Sequence, residues 1–294
     1  MSFKLKDGEK IGRGIRKTAR REIDAIIEHL AGRHFEAEGK SVHEARKHLK
    51  KTRALLRLIR DELGDRIYRQ ENRAFRDVGR VLSPRRDAEV LVKALNNLRC
   101  GQSPGVKMAL LKLEKVLLGR HQQAFETGDC NQDLGPALKA ARRRAGHWPL
   151  ENLEWSDFIC GLRRSYGRGR KALKKVERVR TNENLHEWRK RVKDLLYQLH
   201  LVEAVCPKVI SKLGEEIEKL GEHLGEDHDL AMLDAMAKSA GLTLKETQGI
   251  AHCLEVHRRP LQAAAFDLGR RFYAEKPDRF AQRIRDCSKT GGGG

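Results

Sequence analysis

Strand signals are all but missing from this chain. Valine and isoleucine occur, but not in alternating runs bounded by turns, so sheet architectures drop out. Aromatic residues make up only 5% of 294 positions, too few to line a surface with stacking platforms for single-stranded bases. No run approaches the roughly 18 apolar residues of a membrane span. The opening MSFKLKDGEK lacks the apolar segment of a signal peptide. The six cysteines (Cys100, Cys130, Cys160, Cys206, Cys253, Cys287) are scattered with no CxxC pair. Zinc-cluster and thioredoxin-type sites are therefore excluded, and reduced thiols in a cytoplasmic protein are expected. GRGIRK and GRGRKA lack the GK[ST] ending of a phosphate-binding loop. His43-Glu44 and His186-Glu187 begin like the HExxH helix of zinc proteases, but the second histidine is absent from both. No metal and no cofactor is expected. RRM, KH and zinc-finger signatures are absent as well.

What the chain has is positive charge. Lys and Arg number 61 against 41 Asp and Glu, a net +20. Such an excess costs self-repulsion and favours polyanionic partners. Hydrophobic residues reach 39%, enough for a core beneath amphipathic helices.

Helical periodicity runs throughout. In SVHEARKHLKKTRALLRLIR (41–60) and just beyond, Val42, Ala45, Leu49, Thr52, Leu56, Ile59 and Leu63 step by three and four residues, the spacing of one packed helix face. Ser41 reads as an N-cap, with Glu44 closing a capping box. A second stretch, NLHEWRKRVKDLLYQLHLVE (184–203), repeats the stripe with Leu185, Trp188, Val192, Leu195, Leu199 and Val202. Both stretches carry His-Glu-x-Arg-Lys-x-x-Lys. Two further matches follow the same order: GIRKTARR (14–21) with GLRRSYGR (161–168), and GRVLSPRRDAEVL (79–91) with GEHLGEDHDLAML (221–233). Three matches in register argue for two homologous halves. Each is expected to be a bundle of about four main helices, with the boundary at the Gly, Trp, Pro and Asn cluster of 146–154. The domains are read as 10–148 and 152–287, followed by a flexible tail, 288–294.

The charges are clustered rather than mixed. His43, Arg46, Lys47, Lys50, Arg53 and Arg57 share one broad face of the first basic helix, beside the apolar stripe, over about 25 Å at 1.5 Å per residue. Between Gly161 and Lys193 stand thirteen Lys or Arg and three Glu, a net +10. A face built for solubility alone usually mixes signs, because like charges at helical spacing repel. Regularly spaced cations imply a linear polyanion, gripped bidentately by arginine and as a point charge by lysine. Asp87 and Asp229 are read as lying near helix starts, where a carboxylate complements the dipole. The basic faces offer almost none of the acids with which phosphoanhydride-cleaving enzymes hold Mg²⁺.

The doubled basic motif, with LSPRRDAEVL and LGEDHDLAML following in each half, resembles the CHAD family, the conserved histidine α-helical domain, over most of the chain. The resemblance implies an all-α fold of two helical bundles related by a pseudo-twofold axis. It implies a basic surface or pore between them that binds inorganic polyphosphate, and association with polyphosphate granules. It implies a binding module rather than an enzyme, with a triphosphate-processing protein of the CYTH type as a possible partner. Carried over by motif, its binding residues are His43, Arg46, Lys47, Lys50 and Arg53, and His186, Arg189, Lys190 and Lys193. The neighbouring cations Arg16, Lys17, Arg20, Lys51, Arg57, Arg163, Arg164, Arg168, Arg170 and Lys171 join them as candidates. Nucleic acid is the alternative polyanion. Lys51 corresponds to Asp194, and Arg76 and Arg80 correspond to Glu218 and Glu222, so the halves are not equally basic.

Overall fold

The computed structural model describes Phe3 and residues 10–31, 38–98, 102–126 and 134–290. Among these it leaves the side chains of 38–40, 83–89, 121, 123–126 and 289–290 undescribed. The described residues form eleven α-helices and no strand. The first half holds α1 (Ile11–Ala31), α2 (Glu38–Leu58), α3 (Arg60–Val81), α4 (Ser83–Leu98), α5 (Pro104–Glu126) and α6 (Gly135–Ala145). The second holds α7 (Trp155–Arg178), α8 (Asn182–Val202), a 3-10 turn (Glu203–Val205), α9 (Pro207–Lys238), α10 (Leu244–Phe272) and α11 (Pro277–Thr290).

The repeat seen in sequence is a repeat of helices. Helix α1 packs on α2 and α6 as α7 packs on α8 and α11. The single long α9 stands where the first half has α3 and α4. The named residues of both predicted stripes lie in the core: Val42 to Leu56 on the buried face of α2, Ile59 and Leu63 at and beyond the break into α3, and Leu185 to Val202 on α8. Thr52 is fully buried because its hydroxyl donates to the carbonyl of His48 one turn back, at 3.0 Å, which satisfies its polar group without a partner outside the helix.

Packing does not stop at the sequence boundary. One hydrophobic core runs through both halves and includes Ile15, Leu55, Trp148, Tyr166, Trp188 and Phe280. A second core gathers Leu91 and Leu95 of α4, Leu110 and Leu113 of α5, Leu230 and Leu233 of α9, and Ile250 and Leu254 of α10. The far ends of both halves thus build one shared four-helix unit. The segment 146–154 turns the chain from one half to the other. Gly161 lets α7 approach the end of α2 so closely that a Cβ there would stand 2.2 Å from the Leu58 carbonyl oxygen.

Three expectations change. Helix α2 begins at Glu38, so Ser41 lies within it and Glu44 faces Lys47, 3.4 Å away, instead of closing a cap. Asp229 sits well inside α9, which runs as one helix from Pro207 to Lys238. Cys206 and Cys287 form a disulfide, with Cα atoms 6.1 Å apart. Their 81-residue separation hides the pairing in sequence; the packing of α11 on α9 creates it. Cys160 and Cys253 are free thiols, and Cys100 and Cys130 lie outside the described residues.

Candidate functional site

Helices α2 and α8, the two copies of the basic motif, pack against each other. The buried Gln198 side chain of α8 donates to the carbonyl of Ala54 in α2 at 2.9 Å. One turn on, Arg57 Nη1 donates to Asp194 Oδ1 at 3.0 Å, and Arg191 approaches the other carboxylate oxygen at 3.6 Å. Asp194, the residue that replaces Lys51 in the second copy, therefore neutralises two arginines at the junction of the halves. Burial pushes its carboxyl up, against the pull of Arg57 and Arg191.

Beside this crossing lies a cleft of about 550 Å³ lined by Arg57, Arg60, Arg168, Lys171, Lys175 and Arg191, with Tyr68, Asn72, Ala172 and a single acid, Glu187. The cations come from α2, α3, α7 and α8, so neither half makes the cleft alone. Arg53 stands next to it, its Nε donating to Asn72 at 3.2 Å. Burial, and then the charge of Arg57, lowers its guanidinium pKa to about 10. Burial also lowers Arg168, followed by the charges of Arg191 and Arg164. These cations are crowded more closely than solvation prefers, the condition in which an added anion is most strongly stabilised.

The second cluster lies further along the α2 face. His186 of α8 stacks on His228 of α9 with ring centroids 4.3 Å apart. Burial, then Lys190 and Arg189, lowers the His186 pKa to about 4. Burial, then Arg189, His186, Lys190 and Lys50, lowers that of His228 to about 3. Lys50, on α2 of the first half, is thus among the charges that hold His228 of the second half down. Lys193 is also depressed by burial and by Arg189, and its stem lies along Gly221, where a Cβ would come within 3.0 Å of Nζ. Lys50, Arg53 and Arg57 span about 10 Å along one face of α2, ending at Arg57 in the cleft. His228 was not singled out from sequence. The signal was the matched segment GEHLGEDHDL, whose acids drew attention ahead of its histidine.

The other candidates divide. Arg46 is half-buried on α2, while Lys47 and Lys190 are exposed and lie 3.4 and 3.7 Å from Glu44 and Glu187. His43 is 44% exposed, with Nε2 at 3.9 Å from Glu44. Arg164 is held as a cap on the end of α2: Nη2 donates to the carbonyls of Arg57 and Leu58 at 2.8 and 3.2 Å, and Nη1 meets Asp61. Arg170 donates to the carbonyl of Tyr273 at 3.0 Å. Arg16 is tied to the carbonyl of Trp148 and to Glu151. Lys51 turns away from the cleft, 3.9 Å from the buried Glu22 and over the ring of Phe3. Lys17 and Arg20 are exposed on α1, and Arg163 pairs with Asp278 at 2.8 Å. Among the described residues, no group of three or more His, Cys, Asp or Glu side chains is arranged to hold a metal ion, and no helix is long and apolar enough to cross a membrane.

A family model for the CHAD domain matches residues 17–238, three quarters of the chain and the whole of the α2 and α8 motifs. The chain belongs to the CHAD family. Among solved structures, PptA from Streptomyces chartreusis superposes with a TM-score of 0.62 at 14% identity, covering 90% of this chain and 99% of that one. At that identity the likeness is one of fold. A search of the curated proteins found no match. The CHAD region takes in the α2–α8 crossing, the stacked histidines and three of the four helices of the shared distal unit. Helices α10 and α11 lie beyond the matched span, yet α11 completes the packing on α7 that α6 provides on α1.

Proposed function

We propose that this CHAD protein binds inorganic polyphosphate, without cleaving it, along the α2 and α8 faces. The binding groups in this reading are Lys50, Arg53, Arg189, Lys190, Lys193 and the cations of the cleft, Arg168 and Lys171 among them, with Arg46 and Lys47 at its margins. The carrying observation is that cations of both halves line one cleft that holds a single acid. A flexible chain of phosphates meets such a strip through many separate contacts, each of which releases counterions. Arg16, Arg164 and Arg170 act as fixed structural bonds in this reading. Association with polyphosphate granules, and cooperation with a triphosphate-processing protein, are extensions of the same proposal.

The test is a competition titration. Labelled long-chain polyphosphate is displaced from the protein by unlabelled polyphosphate, double-stranded DNA, single-stranded RNA or ATP at near-physiological salt. Polyphosphate should compete at least about tenfold better than any of the others, a difference of about 1.4 kcal/mol. Equal competition by DNA or RNA identifies a nucleic-acid binder instead. Release of orthophosphate with Mg²⁺ at an enzymatic rate overturns the non-catalytic part.

A further inference from the structure

The two halves place opposite charges on one pair of matching helix faces. On α3, Arg66, Arg69, Arg73, Arg76 and Arg80 recur every three or four residues, all exposed. They form a row about 21 Å long. At the corresponding turns of α9, 142 positions on, Arg73, Arg76 and Arg80 become Glu215, Glu218 and Glu222, also exposed. Even the counter-charge is inverted: Asp77, which lies 3.3 and 3.4 Å from Arg76 and Arg80, corresponds to the exposed Lys219. Exposed pairs such as these are weak and exchange readily for a more highly charged anion.

Both rows lie on helices packed against the strip, α3 on α2 and α9 on α8. Arg53 of α2 donates to Asn72 of α3 at 3.2 Å, and Lys193 of α8 runs along Gly221 of α9, next to Glu222. At two pseudo-equivalent edges the strip is thus continued by cations on one side and bounded by carboxylates on the other. A site serving a short anion needs neither row. A site serving a long chain must let it leave, and the repulsive edge specifies where it does not go.

We propose that a polyanion held between α2 and α8 leaves the junction over the arginine row of α3 and is turned away from α9 by Glu215, Glu218 and Glu222. This rests on the polyphosphate reading and adds a chain-length specificity to it. Arg73 and Arg80 bind only the part of the ligand that overruns the central strip. Glu215 and Glu222 impose a single direction of exit.

The experiment compares tripolyphosphate with long-chain polyphosphate on the full-length protein. In R73E/R80E the long chain should bind about tenfold more weakly, with a shallower salt dependence. Tripolyphosphate should bind within about twofold of the wild type. The neutralising pair R73Q/R80Q should shift in the same direction by less, which guards against misfolding of the reversed variant. In E215K/E222K the long chain should bind more tightly, because a second exit is opened. Equal losses for both probes in R73E/R80E, or no loss for either, overturn the arginine exit while leaving polyphosphate binding intact. An unchanged long-chain affinity in E215K/E222K overturns the barrier. A wild-type protein that binds neither probe overturns the polyphosphate reading, and the exit with it.

Discussion

At the scale of single residues, the same charge does different work according to what its neighbours supply. Arg57 and Arg164 both stood out in sequence as cations of a binding face. Arg57 does line the cleft, but it also compensates Asp194, and Arg164 is occupied by carbonyls. Nothing at helical spacing discloses a partner 137 residues away, so this division was not legible. The histidines carry a pH prediction. His186 and His228 have pKa values of about 4 and about 3 in the folded protein, below the ordinary value near 6.5. The unfolded chain therefore binds more protons than the folded one between those values. Stability that is present above pH ~6.5 should be lost progressively on acidification, and denaturant midpoints should fall between pH ~7 and ~5. His228→Asn should flatten that fall. A bound polyanion raises both pKa values, so affinity should rise as pH drops across the same range, with proton uptake on binding. Binding calorimetry in two buffers of different ionisation enthalpy reads the uptake, and a result of zero makes the stacked pair purely structural.

At the scale of helices, the periodic pattern in the sequence reported faces well and ends poorly. All seven residues of the first stripe are buried. Val42 to Leu56 are so because a repeat of three and four is the geometry of one helix side, while Ile59 and Leu63 continue the core across the break into α3. The start of α2 and the continuity of α9 were missed for a common reason. Serine and glycine signal breaks only where nothing else pays for helix continuation, and at 221–229 packing against α8 and α10 does so. A substitution pair tests the faces. Leu49 is 4% exposed, whereas Lys50 is exposed. Leu49→Ala should destabilise by about 2–5 kcal/mol, and Lys50→Ala should change stability by no more than about 0.5 kcal/mol. Thermal or urea unfolding of the two variants separates them. Polyphosphate affinity should respond the other way, falling for Lys50→Ala and holding for folded Leu49→Ala.

At the scale of the whole molecule, a net charge of +20 attracts any polyanion, and the question is whether binding depends on where the charge sits. The doubling of the basic motif was plain in sequence; the meeting of its two copies required the fold, since it depends on α7 and α8 returning across α2. If many separate cations hold the ligand, the logarithm of affinity should fall linearly with the logarithm of salt concentration. The slope should be roughly −0.7 per phosphate neutralised, as for a single strand. Three double reversals of equal charge distinguish placement from excess. K47E/K50E alters the α2 face, and K190E/K193E alters the α8 face. K238E/K245E alters the end of α9 and the start of α10, where Lys238 already pairs with Asp234 at 2.6 Å. The first two should lose affinity together and reduce the slope by similar steps, because both faces border one strip. The third should lose little, since Lys238 stands ten residues from His228 along α9, about 15 Å and more than a Debye length of about 8 Å, and Lys245 follows it at the start of α10. A loss in K238E/K245E as large as in the other two means that net charge alone draws the ligand. A loss confined to K47E/K50E means that the second half scaffolds the strip without contributing to it.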